Sequence, residues 1–139
     1  MSICLRWATL PLLLFSGFAW AAFGEYEDHE VADQTLVIRT TMGELTIAAI
    51  DDAAFEVHYR ESGVEQLPSF ALDDSDAFVN TSVRENDDSV EFEIDGLTAV
   101  VSKSPVRVQY LKDGAPLVGE EHGYYRHETM RGFRFSLDD

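Results

Sequence analysis

Val90-Glu91-Phe92-Glu93-Ile94-Asp95-Gly96-Leu97-Thr98-Ala99-Val100-Val101 is the stretch that decides the fold class of this 139-residue chain. Val90, Phe92 and Ile94 alternate with Glu91, Glu93 and Asp95. Successive side chains of an extended strand point to opposite faces, so the run offers one apolar face to a core and one charged face to water. Asp95-Gly96 then supplies the two positive φ angles that a type I′ turn needs, and the apolar run resumes at Leu97. The stretch predicts a two-stranded hairpin.

The same period of two recurs on both sides. Leu36, Ile38 and Thr40 alternate with Val37 and Arg39; Leu45 and Ile47 follow a turn at Met42-Gly43; Phe55, Val57 and Tyr59 alternate with Glu56, His58 and Arg60. Downstream, Val106, Val108 and Tyr110 alternate with Arg107 and Gln109 up to the turn Lys112-Asp113-Gly114, and Phe133 and Phe135 alternate with Gly132, Arg134 and Ser136 across residues 130–137. Residues 61–76, with Gly63, Pro68 and Asp73-Asp74-Ser75-Asp76, read as a long connection. Past residue 21 no window of a dozen residues carries apolar positions at i, i+3, i+4 and i+7. Seven or more short strands without helices predict an all-β, antiparallel β-sandwich.

Composition sets the limits on function. Twenty-six Asp and Glu against 10 Lys and Arg give a net charge of −16. A protein that binds nucleic acid by neutralising phosphates needs a basic stripe, and one that docks on an anionic membrane needs basic clusters. At 45% hydrophobic and 12% aromatic residues the chain is too apolar to remain disordered.

Residues 1–21 have the pattern of an export signal: Arg6, an apolar run from Trp7 through Trp20, and the small-x-small site Ala19-Trp20-Ala21. The competing reading is a transmembrane anchor. Against it, Pro11, Ser16 and Gly17 interrupt the run, which falls short of the ~20 residues a span requires. Cys4 precedes the run, where a lipid-modified cysteine would follow it. Cleavage leaves residues 22–139 with charge −17 and no cysteine, hence a periplasmic or secreted domain held by its core alone. Residues 22–34 are acidic and aperiodic and read as a flexible lead-in; residues 35–139 are the sandwich.

Candidate chemistry is sparse. Asp73-Asp74-Ser75-Asp76 has oxygen ligands at close spacing but neither the Gly at position six nor the Glu at position twelve of a calcium loop, and a solvated acidic loop competes with that reading. Asp87-Asp88 and Glu120-Glu121 read as carboxylates in turns. His122 and His127 flank Gly123-Tyr124-Tyr125-Arg126, yet zinc wants three or four ligands, and with His29 and His58 they read as surface histidines. The chain has no G-x-S-x-G elbow and no phosphate or dinucleotide loop. Tyr124-Tyr125 is its one aromatic doublet past residue 21, and in a strand one ring faces the core and the other faces out, a weak platform for sugar. Asn80-Thr81-Ser82 fits a glycosylation sequon that matters only in a eukaryotic secretory route.

The run Val100-Val101-Ser102-Lys103-Ser104-Pro105-Val106-Arg107-Val108-Gln109-Tyr110, with Asp113-Gly114 and then Gly132-Phe133-Arg134-Phe135-Ser136-Leu137-Asp138-Asp139, resembles the N-terminal β-sandwich of glycoside hydrolase family 31. Thr35 to Arg60 is similar in kind to that family's opening strands, so the resemblance spans roughly residues 35–139 through short motifs. It implies a galactose-mutarotase-like sandwich ahead of a (β/α)₈ barrel in an α-glucosidase, α-xylosidase or α-transglucosylase. The sequence stops at Asp139, where the family's Tyr-Gly-x-Gly-Glu segment begins, so the expected chain is truncated before the barrel that holds both catalytic carboxyl groups. No residue is carried over as catalytic, cofactor-binding or metal-ligating, and no cofactor is expected. The implied partner is an α-linked oligosaccharide held by the barrel, with no nucleic acid and no membrane after cleavage. Two other readings stand beside it: a free-standing secreted sandwich that binds sugar or protein, and a small acidic exported inhibitor or envelope protein.

Overall fold

Asp95 and Gly96 take φ values of 23° and 77°, the left-handed pair that the hairpin reading of this dipeptide requires. A computed structural model describes residues 23–65 and 79–136, and every regular element within them is a strand. The leader, Asp73-Asp74-Ser75-Asp76 and residues 137–139 lie outside the described residues.

The first sheet runs β1 (Tyr26–Ala32), β2 (Thr35–Thr40), β3 (Gly43–Asp51) and β4 (Ala54–Glu61) in that order, each pair antiparallel. The second comprises β5 (Thr81–Glu85), β6 (Ser89–Ile94), β7 (Leu97–Lys103), β8 (Val106–Lys112), β9 (Ala115–Glu120) and β12 (Phe135–Ser136), with β12 paired to β9 at one edge and β5 at the other. A separate hairpin pairs β10 (Tyr125–His127) with β11 (Met130–Gly132).

The two large sheets share one core. Leu36, Ile38, Leu45 and Ile47 from the first meet Val90, Phe92, Ile94, Ala99, Val101, Val106 and Val108 from the second, all at most 1% exposed. Phe55 of β4 lies against Phe92 of β6, ring centroids 5.5 Å apart. These are the positions that the period of two turned inward, so the fold is an all-β antiparallel sandwich. At Gly43 the backbones of β3 and β4 leave no room for a side chain: a Cβ there would sit 2.0 Å from the Arg60 carbonyl oxygen of β4.

Three expectations change. Residues 26–32 are not a loose lead-in but the edge strand β1, joined to β2 by Asp33 and Gln34 at φ 47° and 62°. Its polar composition suits a strand exposed on most of its length, and Arg39 of β2 pairs across it with Asp28 at 2.9 Å and Glu30 at 2.6 Å. Residues 130–137 do not make one strand: β11 and β12 belong to different sheets, and Phe133 and Phe135 are each 45% exposed. Glu61, read as the start of a connection, ends β4 and faces inward.

Candidate functional site

Two carboxylates lie buried in the described part of the molecule, and both sit where β4, β9 and the β10–β11 hairpin meet. Glu61 continues the inward series Phe55, Val57, Tyr59 by one more step of two, so strand geometry carries a charge to the apolar face. Glu120 ends β9, three residues past the register shift that leaves Leu117 unpaired with β8. They are 9% and 5% exposed.

Each carboxylate is held by a tyrosine from the other side of the sandwich. Tyr59 of β4 donates to Glu120, with 2.7 and 2.9 Å to its two oxygens, and the Val108 N–H donates to the same carboxylate at 2.9 Å. Tyr124 donates to Glu61 at 2.8 Å, and the Arg126 guanidinium donates to it at 2.8 Å, with Arg131 Nε 3.5 Å away. Tyr59 and Tyr124 stack 5.4 Å apart, and Phe23 meets both edge-on at 5.1 and 5.2 Å. The result is a crossed clasp: two Tyr–Glu bonds running in opposite directions around three packed rings.

The electrostatics follow from burial. Loss of solvent raises the Glu120 carboxyl pKa above the ordinary glutamate value, against the opposing pull of the Val108 N–H and the Tyr59 hydroxyl. Burial also raises Tyr59, reinforced by the Glu120 charge, and it raises Tyr110 beside the same carboxylate. Tyr124 is raised by burial and by its bond to Glu61. In all four groups the shift is toward the neutral form, and the tyrosines remain donors across the ordinary pH range. No buried side-chain nitrogen or oxygen among the described residues lacks a partner.

Of the residues singled out by sequence, Glu120 and Tyr124 meet in the clasp, whereas the paired aspartates and the histidines do not converge. Asp87 and Asp88 are exposed in the β5–β6 turn. His29 bonds the Tyr26 hydroxyl at 2.8 Å, His58 lies 2.9 Å from Glu56, and His122 lies 3.9 Å from Glu121, three separate places. Among the described residues no three His, Cys, Asp or Glu side chains are grouped to hold a metal ion. Glu120 is a correction: it was expected in a solvated turn and is instead a buried anchor, whereas its neighbour Glu121 is half-buried beside Arg134. Tyr124-Tyr125 divides as alternation requires, 8% against 40% exposed.

Two surface hollows accompany this arrangement. One of about 410 Å³ is lined by Arg107, Gln109, Glu120, Glu121, His122 and Ser136. The other, about 550 Å³, lies over β2–β4, and its arginines are already paired, Arg39 with Asp28 and Glu30 and Arg60 with Glu44. Charge and apolar exposure divide along the chain as well. Residues 22–102 hold 3 Lys and Arg against 20 Asp and Glu; residues 103–139 hold 6 against 6. Among the described residues, five of the eight exposed large hydrophobic ones, namely Leu117, Tyr125, Met130, Phe133 and Phe135, fall in that neutral third.

Fold and site together define an all-β antiparallel protein whose buried polar groups knit its layers together. No family model matches the sequence, and no curated protein matches it either.

Proposed function

We propose that the chain is the non-catalytic N-terminal β-sandwich of an exported family 31 glycoside hydrolase, an α-glucosidase or α-1,4-transglucosylase, in which it packs on the catalytic barrel and shapes one rim of the α-glycoside pocket. The observation that carries the reading is the surface of the last third. Phe133 and Phe135 touch at 4.9 Å while each stays 45% exposed, beside an outward-facing Tyr125 and Met130 and the arginines 126, 131 and 134. Exposed apolar and aromatic side chains interspersed with arginine along one segment have the composition of a protein–protein contact, and the strong negative charge that would resist docking lies elsewhere on the chain. In this reading the clasp is structural: Glu61 and Glu120 each take a tyrosine hydroxyl and tie the layers together.

The source DNA beyond the Asp139 codon tests this. The expected result is an open frame running into a barrel, with the longer product cleaving α-linked glucose oligosaccharides and residues 1–139 alone inert. A stop codon at that point in an intact locus overturns the reading. Outward-facing Tyr125, Phe133 and Phe135 also favour a second reading, a free-standing sugar- or protein-binding module. Calorimetric titration of maltooligosaccharides into the 139-residue chain separates the two: millimolar or tighter binding supports the module.

A further inference from the structure

Residues 122–133 leave the second sheet and return to it as a closed excursion. Its base is tied twice, by the Glu121 N–H donating to the Arg134 carbonyl at 2.9 Å and by the pairing of Phe135 with Glu120. Its tip is the β10–β11 hairpin, which has three residue pairs and joins neither large sheet. A hairpin that short has no stability of its own in water. Between base and tip, three side chains of this excursion reach one group on the first sheet: Tyr124, Arg126 and Arg131 each address the Glu61 carboxylate. The hairpin's outer surface is otherwise open, with Met130 61% exposed and the Arg126 and Arg131 side chains 50% and 47% exposed.

We propose that residues 122–133 form a strap, whose shared polar anchor on the first sheet is Glu61 and whose rings Tyr124 and Phe133 rest on Tyr59, and which opens and closes as a unit while both sheets stay folded. The inference rests on the geometry of the excursion and is independent of the family reading. Closed, the strap places Tyr124 on the rings of Phe23 and Tyr59; open, it uncovers those two rings. Glu61 acts here as a positioning residue, because it sets where the strap lies and touches no ligand. One carboxylate serving three donors makes the closure cooperative, since losing it releases all three together.

Hydrogen exchange on the full chain, read by peptide, tests this. Glu61→Gln keeps an acceptor for Tyr124 and loses both charge pairs; Arg126→Ala combined with Arg131→Ala removes the same pairs from the exposed side and leaves the buried face intact. Both are expected to speed exchange in 122–133 roughly 10- to 100-fold, with β6 and β7 protected as before. Glu61→Ala should go further in the same region. The proposal is overturned if 122–133 exchanges at the wild-type rate in the double arginine variant, or if its exchange rises only in step with β6 and β7, which means that the strap opens by global unfolding. Should Glu61→Ala fail to fold, the arginine pair still decides.

Discussion

Tyr59→Phe isolates the inter-sheet bond with little disturbance of packing. The ring keeps its place between Phe23 and Tyr124, and only the hydroxyl that reaches both oxygens of Glu120 is lost. Glu120, 5% exposed, then keeps the Val108 N–H as its one donor among the described residues. A hydrogen bond to a charged group contributes about 1.5–3 kcal/mol, and leaving a buried acceptor short of a partner places the loss toward the upper part of that range. For a domain of this size that is a fall in Tm of roughly 8–12 °C, at about 4 °C per kcal/mol. The loss should depend on pH. Glu120 titrates above the usual value of 4.5, so relative to the unfolded chain it favours folding below that value and loses this advantage as pH rises through its folded pKa. The Tyr59 hydroxyl is one of the groups that lower that pKa. Without it the folded pKa climbs further, so Tyr59→Phe should be least harmful at pH 4 and most harmful near pH 7. Thermal melts of wild type, Tyr59→Phe, Glu120→Gln and the double variant at both pH values give the coupling directly. Equal destabilisation at pH 4 and pH 7, or a coupling near zero at pH 7, would refute the assignment of Glu120 as the partner that matters.

Phe92→Ala removes a fully buried ring at the centre of the core and should lower stability by about 3–5 kcal/mol in chemical denaturation. Gly43→Ala places a methyl group against the β4 backbone and should abolish a cooperative melt, because Arg60 cannot withdraw without breaking the β3–β4 ladder. Arg39→Ala, at a solvent-facing pair with Asp28 and Glu30, should change stability by less than about 1 kcal/mol in the same assay. Phe133→Ser with Phe135→Ser should suppress self-association of the 139-residue chain in sedimentation velocity, where the parent is expected to associate.

Where burial and alternation coincide, the strands were legible: β2, β3, β4, β6, β7 and β8 each place their most buried apolar residues on one face, and two of the turns are marked by Asp95-Gly96 and Asp113-Gly114. The strands that stayed hidden are edges. β1 turns on Asp33-Gln34 with no glycine to mark it, β5 is largely exposed, and β9 carries Pro116 beside an edge that β12 covers only at Gly119 and Glu120. An edge strand owes its form to a ladder on one side and to few buried side chains, so hydropathy has little to report. The clasp was half visible. The alternation that gave Phe55, Val57 and Tyr59 reaches Glu61 if continued, but the charge itself argues for solvent, and only its partners at Tyr124, Arg126 and Arg131, more than sixty positions away, reverse that argument.

Each large sheet is a meander in which every strand pairs with one close to it in sequence, the β9–β12 closure being the widest reach. Loop-closure entropy for these ladders is therefore small, and each sheet can assemble from its own contiguous half of the chain. Contacts between the sheets are the long-range ones, and the Tyr59–Glu120 and Glu61–Tyr124 bonds span 61 and 63 positions. The expected folding order is two ribbons formed early and docked late, with the crossed tyrosines closing last. On that order, Tyr59→Phe should speed unfolding and leave the refolding rate nearly unchanged.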